Sequence, residues 1–404
     1  YIKTDNPLYR LDKISGRDSS LFDRLPSATN ILATVLDNSN TYHFTEYQNS
    51  HQFNFCYRDL HSKLLKCEIS VNLPVRIAHA NLYYQRMGRH DVSRQSIFFE
   101  PNIWLRGNAW EIKAKMNSEL PDLTTMVNYR DDSNPMNIIL GNMQLRNIHY
   151  YDIEGGKTFE GKKHSRLNIN MGYHQTDNAV AYSLVFDKQT GVSTVQPISV
   201  NGNYRMDLGI GYTRPLDKKE KLSIDNQASF NYNHNVDMAM VQGATQSQRS
   251  IVNNWKISNV LKLNYRPDDN YEFTLHGGGT YYLIKSQREG FSNIHAGDYN
   301  IGMNVQITLP WKLQLTTDLT MFARRGYQLS EMNTTDWIWN AQLSRSFINK
   351  KLLVKLQGFD MLRQLSNTQY LMNAQGRTET WNNSIPRYMM LSLSWRFNVN
   401  PKKK

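Results

Sequence analysis

PRYMMLSLSWRF, at residues 386–397, is the stretch near the end of the chain that decides the fold. In an extended strand successive side chains point to opposite faces, so residues two apart share a face. One face of this stretch is then apolar and ends in aromatic rings, with Met389, Leu391, Leu393, Trp395 and Phe397. The opposite face carries Met390, Ser392, Ser394 and Arg396. The stretch therefore predicts a β-strand with one apolar and one mostly polar face.

The same two-residue alternation recurs along most of the chain. Residues 204–212, 222–232 and 352–358 all place mainly apolar side chains at even-numbered positions. Only 40% of the 404 residues are hydrophobic, and the chain has no run of eighteen apolar residues that could form a transmembrane helix. A transmembrane β-strand needs only about ten residues of alternating character. Low overall hydrophobicity is therefore compatible with a membrane protein built from strands.

The connections between the predicted strands alternate in length. Short connections lie around Lys218, Asp268, Pro310 and Lys350, and long polar connections span residues 233–252, 285–297, 325–336 and 363–385. Outer-membrane barrels have short turns on the periplasmic side and longer loops on the outside. The alternation therefore favours such a barrel.

Aromatic residues are predicted at both ends of the strands. Tyr271, Trp311, Trp395 and Phe397 lie toward the short turns, and Tyr232, Trp255, Trp337 and Trp339 lie toward the long loops. Belts of this kind mark the two interfaces of a membrane. A soluble β-sandwich would bury its rings in a core, without a bias toward two ends. We therefore predict an all-β fold, an antiparallel transmembrane β-barrel in the outer membrane.

The predicted barrel covers residues 52–397, with about sixteen strands counted from Gln52. Residues 398–404 form a basic C-terminal tail. Residues 1–51 are left unassigned, with early barrel strands as one interpretation, because segments 31–36 and 42–47 have strand-like composition. The first residue is Tyr1 rather than Met, which is consistent with a processed or partial chain.

Four local features carry predictions of their own. Pro74 has no backbone N–H to donate to a neighbouring strand. It is therefore expected to end a strand that starts at Lys63, and the next strand is expected at residues 77–86. The glycines at 277–279 predict a kink or bulge. Residues 180–186 are predicted to continue the wall. Residues 118–147 are too long for a hairpin turn and are predicted to form an external loop.

The two cysteines, Cys56 and Cys67, flank a predicted turn. The apolar register we predict aligns Phe53, Phe55 and Tyr57 with Ile69, Cys67 and Leu65. This register leaves Cys56 on the face opposite Cys67, where the two sulfurs cannot bond. We predict two free thiols.

The chain is basic, with 47 Lys and Arg against 35 Asp and Glu and a net charge of +12. The basic residues are spread over turns and loops, as at Lys218 and Lys350, and do not form a stripe. A nucleic-acid-binding protein would need a clustered basic face, so nucleic acid is not an expected partner. Lipopolysaccharide at an outer membrane would attract basic loops.

The sequence contains no recognisable catalytic or metal-binding motif. The eleven His are dispersed, with no pair at ligand spacing, and the glycines at 277–279 precede no predicted helix. We expect no enzyme activity, no cofactor and no dedicated metal site. The alternative of a barrel enzyme would use His276 facing the lumen beside Asp318, but a single lumen His is more often a hydrogen-bonded wall residue.

Three segments resemble a known family in the right order. Residues 134–147, NPMNIILGNMQLRN, resemble a loop of TonB-dependent outer-membrane receptors that reads Asn-Pro, then Gly-Asn-Pro, then Leu-Lys before a membrane strand. Asn134, Pro135, Gly141, Asn142 and Leu145 match, whereas Met143 replaces the Pro and Arg146 stands for the Lys. Residues 355–362, KLQGFDML, are similar to the penultimate strand of such receptors. Residues 386–397 resemble the last strand of the outer membrane protein β-barrel family common in Bacteroidetes.

The resemblance implies uptake of a nutrient, driven through TonB, with a siderophore, vitamin, glycan or peptide as the solute. Such receptors carry a plug domain, a box that contacts TonB and a barrel of about twenty-two strands. The sequence shows neither plug nor box, so it looks like the C-terminal two-thirds of such a barrel. Implied partners are outer-membrane lipid and lipopolysaccharide, a plug and TonB in the full-length chain, and a surface lipoprotein. The alternative is a non-transporting surface barrel that binds a partner through its loops.

Candidate ligand-binding residues follow from this interpretation. On the predicted lumen face they are Arg205, Asp207, Asp225, Gln227, Asp318 and Arg396. On the predicted external loops they are Tyr327, Tyr370 and Trp381. The alternative for each is an ordinary wall or loop residue that contacts solvent.

Overall fold

The computed structural model describes residues 2–9, 36–37, 39, 41–62, 66–241, 243–365, 368–372, 377–381, 385 and 387–397. The strands are β1 (Ile2–Asn6), β2 (Tyr42–Ser62), β3 (Cys67–Gln85), β4 (Val92–Phe99), β5 (Asn102–Gly107), β6 (Trp110–Glu119), β7 (Arg130–Asp131), β8 (Asn137–Leu140), β9 (Ile148–Glu160), β10 (Arg166–Asp177), β11 (Ala179–Phe186), β12 (Ser193–Val200), β13 (Asn203–Pro215), β14 (Leu222–Ala239), β15 (Gln248–Asp268), β16 (Tyr271–Ser286), β17 (Ile294–Leu309), β18 (Leu313–Arg325), β19 (Thr335–Phe347), β20 (Leu352–Phe359), β21 (Thr368–Met372), β22 (Arg377–Trp381) and β23 (Tyr388–Trp395).

Helical structure in the described part is limited to short 3-10 segments. They are Leu123–Met126, Pro310–Lys312 and Ser330–Met332. A search of the same residues finds no helix with the length and apolar character needed to cross a membrane.

Sixteen strand positions form one antiparallel wall in chain order. The order is β1, β2, β3, β4 together with β5, β6, β9, β10, β13 to β20 and β23. Among the described residues no pairing joins β1 to β23. The predicted all-β antiparallel barrel fold is confirmed. The predicted count of about sixteen started from Gln52, which lies inside β2 because that strand begins at Tyr42. The wall reaches sixteen strand positions with β1 included.

The register gives the wall one apolar and one polar face. An apolar row runs from Leu208 through Phe230 and Ile257 to Tyr281 on β13 to β16. One residue away, a polar row on the same strands contains Asp207, Asn231, Lys256 and Tyr282. We call these the outer face and the inner face, because lipid contacts the apolar exterior of a membrane barrel.

The outer face is exposed rather than packed in a protein core. Leu391 is 65% exposed, Leu393 is 68% exposed and Trp395 is 46% exposed. Two sheets packed face to face would bury these side chains in a shared core. The apolar residues of β23 therefore need an apolar solvent, which a bilayer provides.

An aromatic belt crosses four adjacent strands of the outer face near the long loops. Ring centroids are separated by 6.0 Å between Tyr173 and Tyr204, 5.8 Å between Tyr204 and Tyr232, and 5.0 Å between Tyr232 and Trp255. Trp255 and Tyr265 lie on the same face of β15, about 33 Å apart along the strand. With a strand tilt of about 40°, this span matches the roughly 25 Å apolar band of outer-membrane barrels.

The predicted alternation of short and long connections is present in the structure. On one side the turns are as short as the two residues 108–109, while on the other side a connection reaches residues 120–147. Three of the predicted long loops are shorter than expected, at 240–247, 287–293 and 326–334, whereas the fourth is longer, at 360–387. Strands such as β14 and β15 continue their ladder beyond the apolar band, because polar side chains can follow a strand into water.

The prediction that Pro74 ends a strand is wrong. β3 runs through Pro74, which lies opposite Asn54 of β2. The Glu100 amide donates to the Pro74 carbonyl at 3.0 Å, and the Met116 amide donates to the Pro101 carbonyl at 3.0 Å. Each proline therefore removes only the hydrogen bond that its own amide would have donated. β4 and β5 both pair with β3 in one register and together occupy one strand position.

Of the kink or bulge predicted at residues 277–279, the bulge is absent. The pairing of β16 with β15 and β17 keeps one register through all three glycines, and the register shift of β15 lies between Tyr265 and Asp268. A Cβ at Gly279 would lie 3.2 Å from the Tyr299 ring, which also lies over Gly297. Gly279 and Gly297 therefore make room for the Tyr299 ring. An aromatic ring packed over a glycine is a known way to stabilise glycine in a sheet.

Both cysteines are free, as predicted. The predicted register around them is wrong, because Phe53, Phe55 and Tyr57 pair with Val75, Leu73 and Val71. The expected separation by face holds, since Cys56 lies on the inner face and its Sγ donates to Asn72 Oδ1 at 2.9 Å.

Residues 180–186 do not continue the wall, contrary to prediction. β11 pairs with β12 in a second sheet of order β11, β12, β8 and β7, in which β8 and β12 are parallel. The chain leaves the wall at Asn178, which has a φ of 57°, and returns at Gly202, which has a φ of 107°. β10 and β13 consequently pair directly beneath this hairpin.

The first prediction compares the two faces of β17. Met303 lies on the outer face between Tyr299 and Ile307, and Asn304 lies on the inner face. Met303→Arg is expected to reduce the unfolding free energy by roughly 2–4 kcal/mol, since a cation would face lipid. Asn304→Arg is the matched control and is expected to change it by less than about 1 kcal/mol. Urea unfolding of the protein in phosphatidylcholine vesicles measures both; equal effects would contradict the assignment of faces.

Candidate functional site

A charged network crosses the inner face of β6, β9, β10 and β13. Lys115 Nζ lies 3.5 Å from Asp152 Oδ2, and Asp152 Oδ1 lies 2.6 Å from His174 Nδ1. His174 Nε2 lies 3.5 Å from Asp207 Oδ2, which accepts from Arg205 Nε at 2.7 Å. Carboxylates and nitrogen groups alternate along this row. We call these five residues the lumen network.

The sequence permits this network because it places glycine at position 172. Gly172 lies between Glu154 and Asp207 in the ladder, and a Cβ there would lie 3.0 Å from His174 Nε2. The His174 ring therefore occupies the space above Gly172 and reaches both neighbouring strands. The lumen network depends on this missing side chain.

The lumen network also contacts a polar group on the next strand. Asn231 of β14 donates to Asp207 Oδ1 at 2.5 Å. Asp152 and Asp207 are both largely buried, with side chains 18% and 28% exposed. Hydrogen bonds between charged partners are stronger than neutral ones, so this row is a stiff part of the wall. It presents hydrogen-bonding groups of both signs toward the lumen.

The structure brings together only two of the predicted lumen residues, Arg205 and Asp207. Asp225 accepts from Thr213 Oγ1 at 2.8 Å, and Asp318 accepts from Asn340 Nδ2 at 2.9 Å on a distant pair of strands. Gln227 shares the inner face of β14, and Arg396 follows β23 at the short-turn side, where its amide donates to the Lys351 carbonyl. Lys115, Asp152 and His174 were missed, although their two-residue parity with Lys113, Glu154 and Thr176 would have placed them on the same face.

Of the predicted loop residues, Tyr327 is packed into the protein. Its hydroxyl donates to Asp298 Oδ1 at 2.8 Å, and its ring packs on the cluster of Ile284, Ile294 and Ala296. Burial of the hydroxyl is the main cause that raises the pKa of Tyr327, and the hydrogen bond to Asp298 raises it further. Tyr370 and Trp381 belong to β21 and β22, and their side chains lie outside the described part.

Most of the predicted external loop 118–147 connects β6 to β9 on the long-loop side, but it folds back onto the inner face instead of extending outward. We call residues 120–147 the inward segment, because it packs on the inner face of β3 and β4. Leu123, Met126, Val127 and Leu145 are buried against a matching set on the wall, Ala80, Leu82, Tyr84 and Val92. Burying apolar surface in such a contact stabilises the fold by about 25 cal/mol for each Å² removed from water. The segment is thus an ordered part of the interior.

Arg86, just after β3, fixes the inward segment to the wall. Its side chain is 3% exposed, and its Nη1 donates to Asp131 Oδ1 at 2.7 Å and to the Tyr129 hydroxyl at 2.6 Å. Its Nε donates to the Ser39 carbonyl at 3.0 Å. Burial alone would raise the pKa of Asp131, but hydrogen bonds from Ser133 and Arg86 outweigh it and hold that pKa below the usual range.

The residues that carry the TonB-receptor resemblance hold the inward segment in shape. A Cβ at Gly141 would overlap the Val127 carbonyl, so this position needs glycine. Asn142 donates to the Pro197 carbonyl at 2.8 Å and accepts from the Gln144 amide at 2.9 Å. Leu145 is 1% exposed. The motif therefore joins the segment to β12 and to the wall.

The second resembling segment caps the start of the last loop. Asp360 is 3% exposed, and its two carboxylate oxygens accept from the Gln364 and Leu365 amides at 3.0 and 2.9 Å. Its own amide donates to Asn340 Oδ1. The Asp thus ends β20 and turns the chain, which is a structural role.

His276 lies on the inner face but has a wall environment. Its Nε2 lies 3.4 Å from Thr320 Oγ1, and the ring occupies space left by Gly302. Asp318 lies two strands from His276, on β18, and accepts a hydrogen bond from Asn340 of the adjacent β19. Over the described ranges no three His, Cys, Asp or Glu side chains are arranged to hold a metal ion.

Comparison with protein families matches residues 244–395 to the outer membrane protein β-barrel family. The match begins just before β15 and ends with β23, and it spans less than half of the chain. A search of curated proteins finds no match.

Two solved structures from Pseudomonas aeruginosa are similar over most of the chain. They are OccK5 (OpdH), with 9% identity and a TM-score of 0.23, and OccK11 (OpdR), with 11% identity and a TM-score of 0.24. Each alignment covers 88% of this chain and 96% of the other. At such TM-scores the likeness supports no conclusion about this chain.

The family match and the exposed apolar face lead to the same class. The match covers the strands in which the outer face is most regular, from Trp255 to Trp395. The protein is a β-barrel of the outer membrane.

The second prediction concerns the attachment of the inward segment. Asp131→Asn leaves the buried Arg86 charge without its close partner, which costs about 3 kcal/mol. Hydrogen exchange of amides in residues 120–147 is expected to accelerate about a hundredfold. Asp132→Asn is the matched control, because Asp132 lies 3.4 Å from Arg86 and is 54% exposed. It is expected to accelerate exchange less than about tenfold.

The pH dependence of the same contact has a definite sign. Because the pKa of Asp131 is lowered in the folded protein, its stabilisation is complete above the usual aspartate pKa of about 3.9 and is lost as pH falls through the lowered value. Protection of residues 120–147, corrected for intrinsic exchange, should stay constant from pH 7 to about pH 5. A loss of protection within that range would contradict the role of Asp131.

Proposed function

We propose that the protein is the barrel of a TonB-dependent transporter that takes up a polar nutrient across the outer membrane. The observation that carries this proposal is the polar inner face, with its charged network set inside an apolar exterior. An outer-membrane barrel with a polar lumen is suited to the passage of polar solutes. The solute class is a siderophore, vitamin, glycan or peptide.

TonB dependence is supported by the resemblance of two segments. Residues 134–147 follow the receptor pattern at Asn134, Gly141 and Asn142, and residues 355–362 end in the Asp360-x-Leu362 pair. In the structure Gly141, Asn142 and Asp360 are closely packed or hydrogen-bonded within their own loops. We infer that a plug and TonB act with this barrel in the full-length chain.

The inward segment has a role in this proposal. It narrows the lumen beside β3 and β4, and the Arg86 attachment keeps it in place. A solute that passes would travel between this segment and the lumen network on β6 to β13. The outer face and basic loops contact lipid and lipopolysaccharide, and a surface lipoprotein is a candidate partner for the long loops.

The third prediction tests transport in the cells that carry the full-length gene. Deletion should reduce uptake of one limiting nutrient about tenfold or more, and the gene should restore uptake only when TonB is intact. Radiolabelled siderophore, cobalamin, oligosaccharide and peptide are measured in parallel. Normal uptake of all four, together with loss of adhesion to a surface partner, would favour the non-transporting barrel.

The fourth prediction concerns the lumen network. Asp152→Asn with Asp207→Asn removes both carboxylates and leaves Lys115 and Arg205 without them. Because the Lys115 and Arg205 side chains are 44% and 52% exposed, each ion pair is worth on the order of 1 kcal/mol, and their loss should lower the uptake rate about fivefold. Glu272→Gln, on the inner face of β16 outside the network, is the control and should leave uptake within twofold. Heat-modifiable migration in gels verifies folding of each variant.

A further inference from the structure

A cavity lies on the inner face at the long-loop end, where β14, β15 and β16 meet the β11–β12 hairpin. Its volume is about 470 Å³, and its polar lining comes from Thr176, Asn203, Asn235, Asp237, Ser250, Asn254 and Arg288. Its apolar lining includes Val252 and Ile284, which are 4% and 3% exposed. Cavities of about 300–1,000 Å³ with mostly apolar walls and a few polar groups hold small ligands.

Two polar atoms in this cavity are unpaired. Ser250 is 6% exposed, and neither its Oγ nor the buried Asn254 Oδ1 has a hydrogen-bond partner among the described residues. Buried polar groups in folded proteins nearly always have a partner, so an orphaned pair indicates a missing one. Farther along the same face of β15 the ordinary condition holds, since Ser258 Oγ lies 3.0 Å from Thr280 Oγ1.

The unpaired atoms are neutral, and the charged residues of the cavity are already engaged. Asp237 Oδ1 accepts from the Met238 amide at 2.7 Å. The Arg288 guanidinium lies over the Phe291 ring, 5.5 Å from its centroid. Both side chains also have further interactions within the protein. The buried polar atoms left without a partner are thus a hydroxyl and a carboxamide oxygen.

We propose that this cavity binds a neutral solute rich in hydroxyl groups, of monosaccharide to disaccharide size. A sugar hydroxyl can donate to Asn254 Oδ1 and can either donate to or accept from Ser250 Oγ, so it satisfies both orphaned atoms at once. The C–H surfaces of the ring would contact Val252 and Ile284. A charged ligand would leave its own charge without a free partner there, which is costly in a buried site.

An adjoining cavity connects this site to the loops. It has a volume of about 510 Å³ and shares Ala239, Ser250 and Arg288 with the first cavity. It extends along the 240–247 and 287–293 loops through Gln248 and Glu289. A solute arriving from the long-loop side would therefore meet Ser250 before the interior of the barrel.

This assignment deepens the proposed transport function by naming a solute class and a first binding site. The two can fail separately. Transport without sugar binding at Ser250 and Asn254 would overturn the site alone, whereas sugar binding without uptake would overturn transport alone.

The experiment uses the full-length protein purified in detergent. Saturation-transfer NMR is recorded with glucose, N-acetylglucosamine, maltose and sucrose, and with alanyl-alanine as a zwitterionic probe of similar size. At least one sugar should bind saturably. Ser250→Ala and Asn254→Leu should each weaken that binding at least fivefold, while Ser258→Ala, a matched substitution on β15 outside the cavity, should leave it within twofold.

Thermal unfolding separates a binding role from a structural one. Ser250→Ala removes an unpaired buried hydroxyl, so its melting temperature should equal or exceed that of the original protein. Ser258→Ala removes a bonded hydroxyl and should melt at a lower temperature. The proposal is overturned if no sugar binds at about 50 mM, a concentration well above a Kd of about 1 mM. It is also overturned if alanyl-alanine binds more tightly than every sugar. Normal sugar binding by both Ser250→Ala and Asn254→Leu, as expected for a cavity that holds water only, would overturn it as well.

Discussion

The constraint on which the structure depends is that backbone amides facing lipid must find partners within the protein. A meander in which each strand position of the wall from β2 to β20 pairs with a neighbour on both sides meets this requirement between β1 and β23. The wall tolerates two exceptions, at Pro74 and Pro101, and in both the neighbouring amides of Glu100 and Met116 still donate to the proline carbonyls. The register is unchanged across both prolines. Ladder continuity is therefore stronger than the local preference of proline to end a strand.

Once the ladder is fixed, the two faces obey different rules. The outer face needs apolar volume, and Tyr299 supplies it for Gly279 and Gly297. The inner face needs polar groups that satisfy one another, and glycine makes room for them. Gly172 accommodates His174 between two aspartates, and Gly302 accommodates His276 beside Thr320. The same residue type therefore supports a ring against lipid on one face and a hydrogen-bonded imidazole on the other.

The sequence was a reliable guide wherever a two-residue period acts alone. Strand identity, the apolar face and the alternation of connection lengths follow from that period, because a strand exposes every second side chain to lipid. Features that depend on the third dimension were not accessible. The inward turn of residues 120–147 requires knowing that Leu123 and Leu145 can reach Leu82, far away in sequence. Within the network, parity places Lys115, Asp152 and His174 on one face, but their contact depends on a register that the sequence leaves open. The wrong pairing around Cys67 has the same origin, since a long strand offers several equivalent apolar registers.

Motif residues and ligand-contacting residues need not coincide in this protein. Gly141, Asn142, Leu145 and Asp360 carry the family resemblance, and each is occupied by contacts that shape a loop. A residue that holds its own loop in this way has little hydrogen-bonding capacity left for a solute. Ser250 and Asn254 lie outside both receptor-like segments, and among the described residues they carry the buried side-chain atoms that have no hydrogen-bond partner. The contacts that shape the loops and the atoms proposed to hold a solute therefore belong to different residues of this chain.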